Sequence, residues 1–189
     1  GEARRPKGLA TEQVPPVCIL DPDGDLVRHL RRTGSAQPFA NWPCYHTELD
    51  TFDLGGQRVG IVGRVVGASF AVLVAEELFA TGCQLLVSLT SAGQIVPLAA
   101  PPYFVLIAQA LRDEGTSYHY LPPAPYSRLR PALAAAIQAA WDPAPFPLYT
   151  GASWTTDAPF RETAAMIATR RGAGHLAVGL AAAGPYSLQ

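Results

Sequence analysis

The sequence predicts a three-layer α/β/α fold around a central mixed, mainly parallel β-sheet. Short apolar segments typical of strands alternate along much of the chain with longer stretches typical of helices. Charged residues make up only 15% of the 189 residues and hydrophobic residues 49%, a composition of globular rather than disordered proteins. We therefore expect one α/β domain over residues 16–189, preceded by a flexible tail over residues 1–15.

The first part of the chain contains a predicted strand, a helix and a hairpin. Val17–Leu20 is a short apolar strand, and the turn DPDGD separates it from a helix over Leu26–Arg32. Two strand-like segments, Glu48–Leu54 and Gln57–Val62, flank Gly55-Gly56, which is a typical two-residue hairpin turn.

The rest of the chain alternates between helix and strand. Ala68–Thr81 is apolar on all sides and ends at Gly82, which favours a buried helix. The following segment, Gln84–Leu89, is short and apolar, as in a buried parallel strand. From residue 176 onward the chain is rich in Ala and Gly and fits neither pattern. We also expect helices at Phe104–Glu114, Leu129–Trp141 and Phe160–Arg171, and a strand at Leu148–Thr150.

Charge and cysteine content narrow the class of protein. The net charge is -1, so no overall positive field attracts nucleic acid. Cys18, Cys44 and Cys83 show no metal-ligand spacing, and their odd number argues against a disulfide framework, which fits the reducing cytoplasm. No apolar run reaches the roughly 18 residues that a membrane span needs. We expect a cytoplasmic protein that binds no nucleic acid, membrane or metal and forms a homo-oligomer through exposed apolar residues.

In proteins with such sheets, ligands bind beyond the carboxyl ends of the strands. Four loops that follow predicted strands are therefore candidate binding sites. The first, DPDGD, either presents backbone amides to an anion or is a solvated acidic turn. In the second, GRVVGAS, Gly67 and Ser69 lie just ahead of a helix whose free amides suit an anion, and Arg64 is the nearby cation. The alternative is that Ser69 only caps the helix.

The third loop is LTSAG, residues 89–93. Its small residues leave room for a ligand to approach the backbone, and the hydroxyls of Thr90 and Ser91 suit sugar or phosphate oxygens. The alternative is a tight loop held by local hydroxyl turns.

The fourth loop is TTDAPFRET, which follows Trp154. Phe160 and Trp154 are suited to stack on a flat ring while Arg161 or Thr156 bonds its edge. The alternative is that Asp157 caps the following helix, with a proline in its first turn.

Taken together, the four loops resemble those of the nucleoside phosphorylase family, which includes purine nucleoside and uridine phosphorylases and related nucleosidases. DPD is like the family's Gly-Asp-Pro-Asp-Arg, and GRVVGASFAVLVAEELFATG is similar to its glycine-rich turn and following helix. LLVSLTSAGQI looks like its strand with a Thr/Gly loop, and TTDAPFRET closely resembles the segment before its Val-Glu-Met-Glu-Ala-Ala-Ala stretch. The resemblance runs from about Val17 to the end of the chain. It implies a phosphorylase-like fold and cleavage of the N-glycosidic bond of a nucleoside by phosphate or water, with no cofactor beyond phosphate as co-substrate.

The resemblance also implies candidate substrate-binding residues but no assigned catalytic residue. Ser91 and Gly93 match the loop that contacts sugar and phosphate. The phosphate candidates are Arg64, Gly67 and Ser69. The candidates for base contacts are Thr156, Asp157, Phe160 and Arg161.

The chain departs from the family at several of its functional positions. Gly24 and Ser88 stand where the family has phosphate-binding arginines, and Gly179 and Ala181 stand where it has carboxylates that bind the sugar. The sequence also ends at Gln189, before the family's last strand and helix. Two functions are therefore left open: an active phosphorylase or hydrolase, and a catalytically silent nucleoside- or base-binding subunit that a partner completes.

Overall fold

The computed structural model describes residues 12–188 and confirms the predicted α/β class. The described chain divides into two units, each built on a five-stranded mixed sheet. The first unit contains the described residues up to Val66 together with Phe70–Ser91, and the second contains Gly67–Ser69 and the chain from Ala92 onward. In the described part of the chain, no helix has both the length and the apolar character needed to cross a membrane.

The expected tail over residues 1–15 falls mostly outside the described residues, which begin at residue 12. Of its described part, Val14 is buried and donates its backbone amide to the Thr81 carbonyl at 3.0 Å.

The first sheet has the strand order β2-β3-β4-β1-β5 and joins a parallel half to an antiparallel half. Strand β1 pairs in parallel with β4 and β5, whereas β3 pairs in antiparallel fashion with β2 and β4. The predicted hairpin is confirmed, since Gly55 and Gly56 join β3 to β4 with φ of 62° and 84°. The strands are β1 (Val17–Asp21), β2 (Gln37–Pro38), β3 (Leu49–Leu54), β4 (Gln57–Gly63) and β5 (Leu85–Ser88).

Two helices accompany this sheet, both at the predicted places. Helix α1 (Asp25–Arg32) buries Val27 and Leu30 against strand residues that include Phe52 and Ile61. Helix α2 (Ala68–Ala80), whose first two residues belong to the second unit, has a nearly continuous buried face.

Strand β5 is parallel, as predicted, but it is not buried. It lies at the edge of the sheet and pairs only with β1 among the described strands. Leu85 and Val87 are 38% and 42% exposed. The apolar run predicted the strand correctly, but it did not distinguish a central strand from an edge strand.

The second sheet has the strand order β6-β10-β9-β7-β8. Its central strand β9 pairs in parallel with β7 and β10, and the edge strands β6 and β8 run antiparallel to their neighbours. The strands are β6 (Gly93–Gln94), β7 (Phe104–Asp113), β8 (Tyr126–Arg128), β9 (Leu148–Thr156) and β10 (His175–Gly179), and the helices are α3 (Pro131–Ala140), α4 (Ala164–Gly172) and α5 (Ala183–Tyr186).

The prediction of a helix at Phe104–Glu114 is wrong, because this segment is strand β7. It pairs with β9 from Phe104 opposite Leu148 to Asp113 opposite Thr156. Most of its side chains are half-buried on both faces of the sheet, so the apolar run has no strand-like alternation to reveal it. The same pairing extends the strand predicted at Leu148–Thr150 as far as Thr156.

The helix predicted at Phe160–Arg171 is divided in two. A short 3-10 turn over Pro159–Arg161 comes first, and α4 begins only at Ala164. Thr163 caps α4 by accepting a hydrogen bond from the Met166 amide at 3.3 Å.

Candidate functional site

The loop after β1 is organised by the carboxylate of Asp21, which is only 3% exposed. Its Oδ1 accepts the amide of Gly24 at 3.1 Å, and its Oδ2 accepts the amide of Val27, in the first turn of α1, at 2.9 Å. The Asp21 carbonyl accepts the Arg64 amide at 2.8 Å. One residue thus fixes the loop, the start of α1 and the end of β4 relative to one another. Neither alternative for the DPDGD loop describes Asp21. Its carboxylate is buried and not solvated, and it accepts amides that would otherwise be free to bind an anion.

Arg64 lies directly over Gly24. Gly24 has a φ of 74°, and a Cβ on it would lie 2.9 Å from Cγ of Arg64. Arg64 itself has a φ of 63°, which is unusual for a residue with a side chain. The long side chain of Arg64 therefore occupies the space above the first loop that a side chain at residue 24 would need.

A cavity of about 560 Å³ opens at this edge of the first sheet. Its basic side chains are those of Arg28, Arg31, Arg64 and His46. Its other lining residues are Gly24, Val27, Thr47, Glu48 and Gly63.

The arginines of the cavity differ in how far their charge is compensated. Arg28 pairs with Asp25. Arg31 donates to Asp50 Oδ2 and Glu48 Oε2, each at 2.7 Å, and these two carboxylates raise the pKa of Arg31.

Arg64 differs from the other two arginines of the cavity. Within residues 12–188 its guanidinium has neither an ion pair nor a side-chain hydrogen bond. It is therefore the arginine of this cavity whose charge no described side chain compensates.

Ser91, a predicted sugar or phosphate contact, lies in the first unit near the same loop. Its amide donates to Asp23 Oδ2 at 2.5 Å, and the Thr90 hydroxyl donates to the same oxygen at 3.3 Å. Asp23 thereby ties the loop after β5 to the loop after β1. The side chain of Ser91 is exposed.

Gly67 and Ser69 flank the start of α2. Gly67 has a φ of 90°, and Ser69 is exposed as the second residue of the helix. Because α2 begins at Ala68, the alternative in which Ser69 caps this helix is wrong.

Gly93 belongs to strand β6 of the second unit. It lies opposite Val178 of β10, and a Cβ on Gly93 would come within 2.7 Å of Val178 Cγ1. A side chain at residue 93 would therefore collide with the Val178 side chain unless one of the two shifted.

The predicted base contacts lie at and after the end of β9. The Thr156 hydroxyl is buried and accepts the Ala158 amide at 3.1 Å. Asp157 is exposed and accepts the Gly115 amide at 3.0 Å through Oδ2. Asp157 does not cap the next helix, because Thr163 does, so that alternative is wrong.

The two other predicted contacts, Phe160 and Arg161, lie on the 3-10 turn and are exposed. Phe160 is 101% exposed, so its ring packs against no other part of the described chain. Trp154 has the opposite environment: its indole is completely buried and donates to Asp113 Oδ2 at 2.8 Å. Trp154 is therefore a core residue and not a stacking surface.

Gly179 ends β10 opposite Thr155, and Ala181 is buried shortly after it. A Cβ on Gly179 would meet no atom within 4 Å, so the backbone leaves room for a side chain there. The Thr155 hydroxyl accepts the Ala183 amide at 3.1 Å and so anchors the segment that follows.

Sequence reasoning missed part of the cavity. Arg31 was missed, although it lies one helical turn after Arg28 on α1, and this spacing was a usable signal that the two arginines share a face. His46 lies in a loop with a φ of 61°, and nothing in the sequence indicates that it reaches the cavity. In the described residues, no group of three or more His, Cys, Asp or Glu side chains is arranged to hold a metal ion.

Comparison with known proteins is consistent with this architecture. The family model of the phosphorylase superfamily matches residues 16–183. No curated protein is significantly similar to the chain in sequence.

Solved structures share the fold at low sequence identity. A uridine phosphorylase from Vibrio fischeri ES114 has a TM-score of 0.81 and 19% identity, covering 95% of this chain and 75% of its own. A purine nucleoside phosphorylase from Toxoplasma gondii in complex with immucillin-H has a TM-score of 0.78 and 16% identity, with coverages of 95% and 73%. An AMP nucleosidase from Bacteroides thetaiotaomicron has a TM-score of 0.73 and 19% identity, with coverages of 93% and 72%. At these identities the similarity establishes the fold.

The role of Asp21 gives a test of the site's architecture. We expect Asp21→Ala to lower the free energy of unfolding by about 2 kcal/mol, because two buried amides lose their acceptor. Asp25→Ala, at the first residue of α1, removes an exposed ion pair and one acidic group of the first helical turn, and should change it by only about 0.5 kcal/mol. Urea unfolding of both variants measures the difference, and equal stabilities would contradict the organising role of Asp21.

Proposed function

The chain belongs to the phosphorylase superfamily, and we propose that it cleaves the N-glycosidic bond of a nucleoside with inorganic phosphate as the acceptor. The observation that carries this proposal is the cavity of the first unit, with Arg64 as its uncompensated cation. A phosphate ion needs charge-assisted hydrogen bonds of the kind that a guanidinium provides.

The backbone conformation at the cavity supports the proposed phosphate site. Arg64 and His46 are the described non-glycine residues with positive φ, and both line the cavity. Backbone strain of this kind is retained where the surrounding structure enforces it, and it concentrates at binding and active sites. Here it directs a cation and an imidazole towards the same space.

Arg64 also accounts for the absence of an arginine at residue 24. The resemblance places a phosphate-binding arginine at that position, where this chain has Gly24. Because the side chain of Arg64 covers Gly24, the chain has a cation above the first loop, supplied by the end of β4. The second arginine of the family pattern has no counterpart at Ser88, which is an exposed residue at the end of β5.

In the proposed reaction, phosphate attacks the anomeric carbon of the ribose as the bond to the base breaks. The transition state has oxocarbenium character, so an anion placed beside the sugar stabilises the developing positive charge. Arg64 binds and orients the phosphate, and Ser91 contributes a hydroxyl to sugar or phosphate oxygens. Gly67, Ser69 and Gly93 remain further candidates from the resemblance, and no metal or organic cofactor is needed.

For the base we propose contacts from the segment after β9. Thr156, Asp157 and Arg161 provide hydrogen-bonding groups, and Phe160 provides an aromatic face. The full exposure of Phe160 leaves its ring available to a ligand, because the side chain contributes nothing to the packing of the described chain.

We also propose that the protein is a cytoplasmic homo-oligomer. Helix α3 is largely apolar, yet none of its residues is buried, and Leu85 and Val87 are exposed at the sheet edge. Apolar surface of this kind suits burial against another copy of the chain.

The reaction is tested by incubating the purified protein with purine and pyrimidine nucleosides, with and without phosphate, and following base release by chromatography. We expect release that depends on phosphate. Base release without phosphate would show that water, and not phosphate, is the acceptor. No release by folded protein, with an active phosphorylase as control, would overturn the enzymatic proposal in favour of a silent binding subunit.

The phosphate site is tested with Arg64→Met, which keeps much of the side-chain length but removes the charge. We expect KM for phosphate to rise about tenfold or more, because charge-assisted bonds are lost. KM for the nucleoside should change much less. Arg32→Met removes an arginine of α1 that does not line the cavity and should leave both constants unchanged. An unchanged phosphate KM in Arg64→Met would refute the assignment.

The base contacts are tested with Phe160→Ala. We expect nucleoside affinity, measured by calorimetry, to fall about tenfold through loss of stacking. The melting temperature should not change, because within the described residues the ring packs against no other side chain. Leu54→Ala, another strongly exposed apolar residue, serves as the control for a general surface effect. Equal affinities in wild type and Phe160→Ala would exclude this residue from the site.

A further inference from the structure

Two buried charged side chains of the second unit have no part in the proposed reaction. Arg112, near the end of β7, is 4% exposed, and Glu114, just after this strand, is 7% exposed. Both lie beside the loop over residues 114–125, which joins β7 to β8 and which we call the β7–β8 loop. A charge is buried at little cost only when it is paired or hydrogen-bonded, so the partners of these two residues show what they hold in place.

The guanidinium of Arg112 binds the β7–β8 loop at four points. Its Nε donates to the Ser117 hydroxyl at 2.7 Å. Its other three bonds go to backbone carbonyls, those of Pro122 at 2.8 Å, Ala124 at 3.2 Å and Leu121 at 3.3 Å. One side chain of β7 therefore holds both the first turn and the last residues of the loop.

Glu114 fixes the first turn of the same loop. Its Oε2 accepts the amides of Thr116 and Ser117 at 2.7 and 3.0 Å, and its Oε1 accepts the Ser117 hydroxyl. Because this hydroxyl also accepts the Nε–H of Arg112, it connects the two buried charges. Tyr118 adds to the network, since its ring centre lies 4.0 Å from the guanidinium and its hydroxyl donates to the Arg112 carbonyl at 3.1 Å. Connected networks of this kind fix a loop in one arrangement.

The β7–β8 loop is in turn attached to the segment after β9. The Gly115 amide donates to Asp157 Oδ2 at 3.0 Å, and the Asp113 carbonyl accepts the Asp157 amide at 3.3 Å. The 3-10 turn that carries Phe160 and Arg161 follows shortly after Asp157. Because Phe160 does not pack against the described chain, the orientation of its ring depends on the backbone that leads to it.

We propose that Arg112 is a positioning residue for the nucleoside base, an inference that rests on the proposed function. Through the β7–β8 loop, Arg112 holds the Gly115 amide against Asp157. This contact sets the orientation in which Asp157, Phe160 and Arg161 meet the base. Groups that are fixed before the ligand arrives lose less conformational entropy on binding, so affinity for the nucleoside is higher. Arg112 itself is buried among the loop carbonyls and does not contact the base.

The positioning is tested first without substrate, by hydrogen–deuterium exchange of the folded protein with mass spectrometry. We expect the amides of residues 157–163 to exchange about tenfold faster in Arg112→Met than in the wild type, because the loop that holds Asp157 is released. Unchanged exchange of these amides in folded Arg112→Met would overturn the proposal. An equal acceleration throughout the second unit would show a general loss of stability and would also overturn it.

Arg128→Met is the matched control for this measurement. Arg128 lies on the neighbouring strand β8, is exposed, and has its guanidinium 6.0 Å from the centre of the Tyr126 ring. Its replacement removes the same charge from the same sheet and should leave the exchange of residues 157–163 unchanged. A similar acceleration in this variant would refute the specific role of Arg112.

The consequence for the ligand is tested by steady-state kinetics. In Arg112→Met we expect KM for the nucleoside to rise about tenfold, and KM for phosphate to change by less than about twofold because the proposed phosphate site lies in the first unit. A lower melting temperature with an unchanged nucleoside KM would show a purely structural role and overturn the proposal. If the wild type releases no base, the proposed function fails, whereas the exchange measurement still decides whether Arg112 holds the segment after β9.

Ser117→Ala provides a second test if Arg112→Met does not fold. It removes the hydroxyl between Arg112 and Glu114 but leaves the three carbonyl bonds of the guanidinium. We therefore expect the same two changes at a smaller size, about threefold each. Wild-type exchange in folded Ser117→Ala would then overturn the proposal.

Discussion

The candidate site depends on one buried carboxylate. Asp21 accepts the amides of Gly24 and Val27 through its side chain, and its carbonyl accepts the amide of Arg64. A buried carboxylate is tolerated only when donors satisfy it, so the three segments are bound to the position of this residue. The same bonds use up amides that a loop of this kind would otherwise offer to an anion. In the proposed function, anion recognition in the first unit therefore falls to side chains.

The relation between Gly24 and Arg64 follows from this constraint. The loop requires a left-handed residue at position 24, and the space above that residue is filled by the side chain of Arg64. An arginine at position 24 and the observed position of Arg64 exclude each other sterically. Compared with the family pattern that the resemblance implies, the cation over the loop is supplied by Arg64, after β4, and not by residue 24. If only the first loop is compared with the family pattern, the positive charge over this loop is overlooked, because Arg64 lies outside the loop.

The sequence correctly predicted those elements whose conformation is set by residues close together in the chain. Gly55-Gly56 marks the hairpin because a two-residue turn needs positive φ, and Gly82 marks the end of α2 for a related reason. Phe104–Glu114 was misassigned because strand β7 is fixed by its long pairing with β9, which the apolar run does not encode. The site divides in the same way. Helical spacing is a local signal that places Arg31 on the same face as Arg28, although the sequence prediction did not use it, whereas His46 reaches the cavity only through the path of its loop.

The family pattern has carboxylates at the positions of Gly179 and Ala181. We expect their absence to weaken nucleoside binding more than it slows the chemical step. In the family pattern they hold the sugar hydroxyls, an interaction present in the bound nucleoside as well as in the transition state. Losing an interaction that is equal in both states raises KM and leaves kcat largely intact. In the proposed reaction, the phosphate held by Arg64 acts mainly when positive charge develops on the sugar, so its contribution is specific to the transition state. In the proposed function, Gly179 and Ala181 are therefore compatible with a weakly binding enzyme whose turnover depends on the cavity around Arg64.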